Sequence, residues 1–142
     1  MLIYYTAILL TIISNVFYHI FAKSTPGDVN PVLSLLFTYL TAAASCLLLI
    51  PLYSNGEGIG IALRRVNWTS YALGISIVGL ELGFLLAYRA GWNISMAGII
   101  SNGTVALLLI PIGLFAFHER LNVFNVVGII MCLVGFILMN KR

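Results

Sequence analysis

The sequence has few charged residues. Asp, Glu, Lys and Arg make up 8% of its 142 residues, whereas a typical soluble domain carries about 25%. Hydrophobic residues make up 61%, and we interpret the chain as an integral membrane protein. The net charge of +3 comes from loop and terminal residues and includes no basic cluster. It therefore bears on membrane orientation and does not indicate binding to nucleic acid.

The sequence also lacks the motifs of common enzyme and metal sites. Its two cysteines, Cys46 and Cys132, lie in apolar runs without metal-site spacing. Zinc-protease, serine-hydrolase and phosphate-binding glycine motifs are missing. We therefore expect neither enzymatic activity nor a metal or cofactor. The N-terminal MLIYYTAILL has no basic segment or cleavage site of the kind signal peptides carry, so we predict that it is a retained span.

Five apolar runs approach the ~20 residues that a helix needs to cross a bilayer core of ~30 Å. Short turns join most of them, so the sequence predicts one all-α, multi-pass domain over residues 1–142 in the cytoplasmic membrane, in contact with lipid. The predicted spans are residues 3–21, 31–53, 70–88, 94–117 and 123–139. In the one long connection, Ile59 to Leu63 is predicted to lie at the membrane interface.

The third run carries a carboxylate, Glu81, near its centre, whereas Asp28, Glu57 and Glu119 lie in or beside turns. An acidic residue at mid-membrane costs roughly 2.5 to 3.5 kcal/mol on insertion scales, and such residues usually face a polar cavity on an ion or substrate pathway. The alternative is a permanently protonated side chain that hydrogen-bonds between helices. We take the functional interpretation of Glu81 as the working hypothesis.

Polar residues at helical spacing are candidates for the rest of a substrate chamber. We select five: Asn15, Tyr18, Thr38, Tyr71 and Asn102. The hydroxyl groups of the second run could also line a cavity, but interhelical hydrogen bonds are the default expectation for them. His19 lies about one turn from the end of the first run. We expect it to be solvated or bonded to backbone, with proton transfer as the alternative.

The last run has small residues on one stripe, Gly128, Cys132 and Gly135. Stripes of this kind let membrane helices approach closely, so we predict that it serves helix packing and dimerisation.

Lys and Arg are almost evenly divided between the two membrane sides. With five spans, Arg64, Arg65 and Arg120 lie on the side of the N-terminus, and four basic residues lie opposite: Lys23, Arg89, Lys141 and Arg142. An excess of Lys and Arg on one side sets the orientation of a membrane protein, so a difference of one residue specifies the orientation only weakly. We therefore hypothesise that the chain inserts both ways and forms an antiparallel homodimer, the pairing that larger transporters encode as inverted repeats.

The C-terminal half, from GLELGFLLAYRAGWN through FHERLNVFNVVGIIMCLVGFILMN, resembles the EamA-like domain of the drug/metabolite transporter superfamily. Glu119 stands in the polar turn ahead of the last helix, which carries Gly128 and Gly135. The resemblance implies about five spans. Because most members are similar to a tandem of two such domains, it also implies a half-size transporter that must dimerise.

A more distant resemblance extends to the small multidrug resistance proteins, which carry an essential glutamate in their first span. Here the first span has Thr11 and Asn15 and no carboxylate. The proton-coupling role of that glutamate therefore cannot be carried over to the first span. We assign the role to Glu81 only because the sequence places it near the middle of the membrane.

These observations predict a secondary transporter that exports a small organic molecule, a drug or metabolite, by proton antiport through Glu81. A proton and a cationic substrate group would compete for that carboxylate. The alternatives are a subunit of a lipid-linked substrate flippase or of a heteromeric transporter, and an accessory membrane subunit that transports nothing.

Overall fold

The computed structural model describes residues 2–53, 58–118 and 122–140. The described elements are helices, as the all-α prediction requires: α1 (Leu2–Ser24), α2 (Pro31–Tyr53), α3 (Ile59–Leu63), α4 (Trp68–Arg89), α5 (Ile94–Ala116) and α6 (Val123–Asn140). Glu57, Glu119, Arg120, Lys141 and Arg142, which entered the arguments on topology and resemblance, lie outside the described residues.

Four of these helices, α1, α2, α4 and α5, are long and apolar enough to cross a membrane. The fifth predicted span corresponds to α6, which is shorter at 18 residues. The predicted interfacial stretch forms a separate short helix, α3. The prediction of a multi-pass, all-helical membrane protein is confirmed. The predicted boundaries agree with the helices to within three residues, the largest difference being the extension of α1 to Ser24.

Asparagine side chains begin two of the long helices. The Asn30 Oδ1 atom accepts hydrogen bonds from the backbone N–H groups of Val32, at 2.9 Å, and Leu33, at 3.2 Å. Pro31 follows as the first helical residue, where a missing N–H costs nothing. At the start of α4, the Asn67 side chain accepts from the Thr69 N–H at 3.0 Å. Because these caps satisfy otherwise unpaired N–H groups, they fix where α2 and α4 start.

The chain forms two compact units, Met1–Gly91 and Trp92–Arg142. In the first, α4 packs against both α1 and α2. The ring contact between Tyr18 and Phe84 and the bond from Lys23 to Tyr88 show that α1 and α4 run in the same direction. In the second unit, α5 packs against α6.

Few of the described side chains are buried. Leu35, Leu85 and Tyr88 form the core of the first unit, and Ala97 and Gly113 are buried in the second. Many large apolar residues are exposed instead; Phe115, for example, is 81% exposed. This distribution is typical of membrane helices, whose outer surfaces meet lipid tails and further protein rather than water.

The hydroxyl groups of α2 bond within their own helix. Thr38, Thr41 and Ser45 donate to the carbonyl oxygens of Ser34, Phe37 and Thr41, at 3.1, 2.9 and 2.9 Å. The default expectation of interhelical bonds is therefore wrong for these three side chains. The carbonyl oxygen four residues earlier is always within reach of a Ser or Thr hydroxyl in a helix, whereas a partner on a neighbouring helix requires a particular rotation.

Candidate functional site

Glu81 lies on the face of α4 that meets α1 and α2, and its side chain is half-buried. Tyr39 of α2 brings its hydroxyl group close to the Glu81 carboxyl group. The geometry stops short of a hydrogen bond, and the buried Tyr39 Oη atom has no partner among the described residues.

Glu81 borders a pocket of about 210 Å³ within the first unit. Residues of α1, α2, α4 and the first connection line it: Tyr18, Phe21, Ala22, Thr25, Ser34, Leu35, Thr38, Glu81 and Leu85. The structure thus brings together Glu81 and two of the predicted chamber residues, Tyr18 and Thr38. Pockets for drug-sized ligands usually measure about 300 to 1,000 Å³, so this pocket is small for a complete site.

An aromatic cluster of Tyr18, His19, Phe84 and Tyr88 lies between α1 and α4, beside this pocket. The ring centroids of His19 and Phe84 are 4.8 Å apart, and those of Tyr18 and Phe84 are 5.9 Å apart, both edge to face. The Tyr88 hydroxyl and the His19 Nδ1 atom are 2.8 Å apart and form a hydrogen bond. The cluster links the two parallel helices through rings and a polar contact.

The expectation that His19 would be solvated or bonded to backbone is wrong. Its ring lies between helices, and its Nδ1 atom pairs with a side chain on α4. The sequence contained one relevant signal, since Tyr88 lies on the same face of α4 as Glu81. Pairing Tyr88 with His19 required the rotation of α1 relative to α4, which helical periodicity does not give.

Three buried polar atoms around the pocket and the aromatic cluster have no hydrogen-bond partner in the described part of the chain: Tyr18 Oη, His19 Nε2 and Tyr39 Oη. An unpaired buried polar group costs about 1 to 3 kcal/mol. Tyr18 shares the pocket with Glu81, and Tyr39 lies beside the carboxyl group. The Tyr18 hydroxyl group thus lies at the pocket, and the Tyr39 hydroxyl group lies beside Glu81, without a described partner.

Two basic residues, Lys23 and Arg89, lie at the end of the first unit, beyond the aromatic cluster. The Arg89 guanidinium donates to the carbonyl oxygens of Pro26, at 3.2 Å, and Val29, at 2.6 Å, and so ties the first connection to α4. The Lys23 ammonium donates to the Tyr88 carbonyl oxygen at 3.3 Å. A second pocket of about 210 Å³ opens here, lined by Ala22, Lys23, Thr25, Gly27, Tyr88 and Arg89.

The remaining predicted chamber residues lie elsewhere. Asn15 is exposed on α1, and Tyr71 is 70% exposed near the start of α4. Neither lines the two pockets of the first unit. Asn102 is exposed on α5 and belongs to the second unit. Their role in a chamber stays a prediction.

In the second unit, the small-residue stripe lines an apolar groove of about 730 Å³ between α5 and α6. Gly128, Cys132 and Gly135 border it from α6, and Gly103 borders it from α5. Cys46 and Cys132 are exposed free thiols. Among the described residues, no group of His, Cys, Asp and Glu is arranged to hold a metal ion.

Comparisons with known proteins identify the family. The profile of the EamA-like transporter family matches residues 2–141. A curated relative, "Probable purine permease 7" of Arabidopsis thaliana, is 26% identical over 137 residues, which cover 92% of this chain and 34% of the relative. The chain thus spans about a third of that relative's length, and no solved structure matches. With a profile match over nearly its whole length and membrane-length helices, the chain is a multi-pass membrane protein that belongs to the EamA-like transporter family.

Proposed function

We propose that this chain is half of a secondary transporter, in which Glu81 exchanges a proton as a small organic molecule crosses the membrane. The observation that carries the proposal is the position of Glu81, a half-buried carboxylate that borders a pocket between membrane helices. Membership in a family of transporters supports transport over an accessory role. Acidic residues at this depth commonly mark substrate or proton pathways.

The mechanism follows from one carboxylate with two competing occupants. A proton can neutralise Glu81, or a cationic or N–H donor group of the substrate can bind its ionised form, but not both at once. Binding of substrate to the charged form then requires proton release, and proton uptake on the other side displaces the substrate. Tyr39 fits this cycle because its hydroxyl group can donate to the ionised carboxylate or, after a small rotation, to a bound ligand.

For the substrate we propose a flat nitrogen heterocycle such as a purine. The relative's name provides the chemical class. The Tyr18 and Phe84 rings support it, because they form an aromatic surface beside the Glu81 pocket on which a planar ring can pack. The unpaired Tyr18 and Tyr39 hydroxyl groups offer hydrogen bonds to ring nitrogens and exocyclic groups.

We also propose that two copies assemble as an antiparallel homodimer, because one copy offers an incomplete site. Its Glu81 pocket of about 210 Å³ is below the usual range for small-molecule sites. A second, inverted copy would enlarge the pocket and supply the opposite half of an alternating-access cycle.

Uptake of radiolabelled adenine into proteoliposomes tests the proposal. A pH gradient should drive accumulation by the wild-type protein, and Glu81→Gln should abolish this drive because the amide cannot exchange a proton. Glu57→Gln, which removes a carboxylate that the sequence places in a loop, is the matched control and should behave as wild type. The Glu81→Gln protein should elute as wild type in size-exclusion chromatography, which separates loss of coupling from loss of assembly.

Full pH-driven accumulation by Glu81→Gln would refute the coupling role. If a pH gradient drives accumulation of other solutes but not of adenine, the substrate class is wrong and the coupling role stands.

A further inference from the structure

The two pockets described above, one at Glu81 and one at Lys23 and Arg89, are neighbours. Ala22 and Thr25 line both the pocket that contains Glu81 and the pocket at the end of the unit. Glu81 and Arg89 are eight residues apart on α4, which corresponds to about 12 Å along the helix axis. The second pocket therefore lies toward the end of α4 from the Glu81 pocket, and the side chains of Ala22 and Thr25 form a wall that the two pockets share.

The outer pocket has a basic lining. Lys23 and Arg89 border it, and none of the residues that line it in the described structure is acidic. The hydrogen bonds from Arg89 go to the backbone carbonyl oxygens of Pro26 and Val29, which are neutral and leave its charge uncompensated. Asp28 lies in the same connection, but its side chain is exposed to solvent and does not line the pocket.

The ends of the helices weaken this positive charge without cancelling it. α1 and α4 both end here, and each C-terminus acts as roughly half a negative charge. The Lys23 ammonium already offsets one of them through its bond to the Tyr88 carbonyl oxygen. The N-terminus of α2, at Pro31, contributes roughly half a positive charge at the same end. The residues that line the pocket thus carry two formal positive charges and no negative one.

We propose that the outer pocket is the vestibule through which solutes reach Glu81, and that Lys23 and Arg89 make it admit anionic and neutral molecules in preference to cations. This inference rests on the proposed function and narrows its substrate class. It also decides how the substrate meets Glu81. If cations are disfavoured at the entrance, a neutral substrate binds the ionised carboxylate by donating an N–H hydrogen bond, and the proton that Glu81 gives up leaves through the vestibule.

Thiol labelling tests the vestibule without a transport substrate. In a protein with Cys46 and Cys132 replaced by Ser, Thr38→Cys places a thiol in the Glu81 pocket. Two methanethiosulfonate reagents of similar size then serve as probes, one with a sulfonate group and one with a trimethylammonium group. The measured quantity is the ratio of their labelling rates, each normalised to the rate with free 2-mercaptoethanol.

We expect Lys23→Gln to lower the sulfonate-to-trimethylammonium rate ratio about three- to tenfold, the size that one charge in a narrow cleft produces. The effect should shrink as salt is raised, because screening shortens the reach of the charge. Lys23→Arg keeps the charge and should keep the ratio. Arg64→Gln removes an exposed arginine beyond α3 and is the matched control, with no change expected.

Ala22→Trp tests the path itself, since a large ring at the shared wall should slow labelling of the new cysteine by both reagents. Labelling that Ala22→Trp leaves unchanged would overturn the vestibule, and so would a ratio that Lys23→Gln leaves unchanged. If either result occurs while Glu81→Gln still abolishes pH-driven adenine uptake, the outer pocket is not the access path to Glu81 and the proposed function stands. If labelling behaves as expected while Glu81→Gln transports normally, the access path stands and the coupling role is wrong.

Discussion

Replacing Tyr88 by Phe should destabilise the first unit through a single hydrogen bond. The Tyr88 side chain is only 5% exposed, and its hydroxyl group lies 2.8 Å from His19 Nδ1. Since His19 Nε2 already has no partner in the described residues, Tyr88→Phe leaves both ring nitrogens unpaired. Leaving a buried polar group of this kind without a partner costs about 1 to 3 kcal/mol in soluble proteins.

The cost should be smaller in a membrane, because the unfolded helices also find partners there. Side-chain hydrogen bonds between membrane helices average about 0.6 kcal/mol and reach about 2 kcal/mol. We therefore expect Tyr88→Phe to lower the free energy of unfolding by about 1 kcal/mol, which is roughly a fivefold change in the unfolding equilibrium.

Equilibrium unfolding in mixed micelles of increasing SDS content measures this quantity. Tyr5→Phe is the matched control, since it removes the same hydroxyl group from a ring that is 65% exposed on α1. A double-mutant cycle with His19→Leu isolates the coupling between the two side chains, which should equal most of the cost of Tyr88→Phe. Equal stability of Tyr88→Phe and Tyr5→Phe, or a coupling energy near zero, would refute the role of this pair.

Two further predictions concern assembly. If the chain inserts in both orientations, reporters that are active only in the cytoplasm or only outside it should both give signal when fused to the C-terminus; signal from one alone would contradict the antiparallel homodimer and favour a separate partner. Replacing Gly128 and Gly135 together by Leu should reduce cross-linked dimer several-fold, because no described atom of the chain lies within 4 Å of the added Cβ atoms and the new side chains would meet a partner instead. Gly79→Leu is equally unobstructed among the described residues and should leave the dimer intact. Unchanged cross-linking in the Gly128 and Gly135 variant would show that α6 is not the interface.

The helices could be predicted from the sequence because the bilayer imposes one length on every apolar run. Pro31 coincides with the start of α2, and the short helix Ile59–Leu63 lies where the apolar stretch before Arg64 suggested. The position of the Glu81 carboxylate on an inward face followed from the cost of charge in lipid. These features depend on composition and depth, which a sequence displays directly.

The contacts around Glu81 could be predicted only in part. Tyr18 and Thr38 were identified from their polar stripes and do line its pocket. Tyr39, which lies beside the carboxyl group, was missed because a single tyrosine in an apolar run looks like packing. Its contact depends on the rotation of α2 about its axis, and periodicity within one helix does not define how that helix faces another.

The pocket that Lys23 and Arg89 share could not be predicted from the sequence. Lys23 and Arg89 were counted as topology signals on the same side of the membrane. Their shared pocket arises because α1 and α4 run in the same direction and end together, 65 residues apart in sequence at the Lys23 to Tyr88 contact. Only the packing of the three helices brings these charges to the entrance of one site.

Proton release on ligand binding tests the central claim most directly. Adenine is added to the purified protein in weakly buffered detergent solution, and a pH-sensitive dye records the protons released. If Glu81 exchanges a proton for substrate, the wild-type protein should release protons in proportion to the Glu81 carboxyls occupied, and Glu81→Gln should release none while Glu81→Asp retains release. Equal proton release by the wild-type and Glu81→Gln proteins would contradict the account.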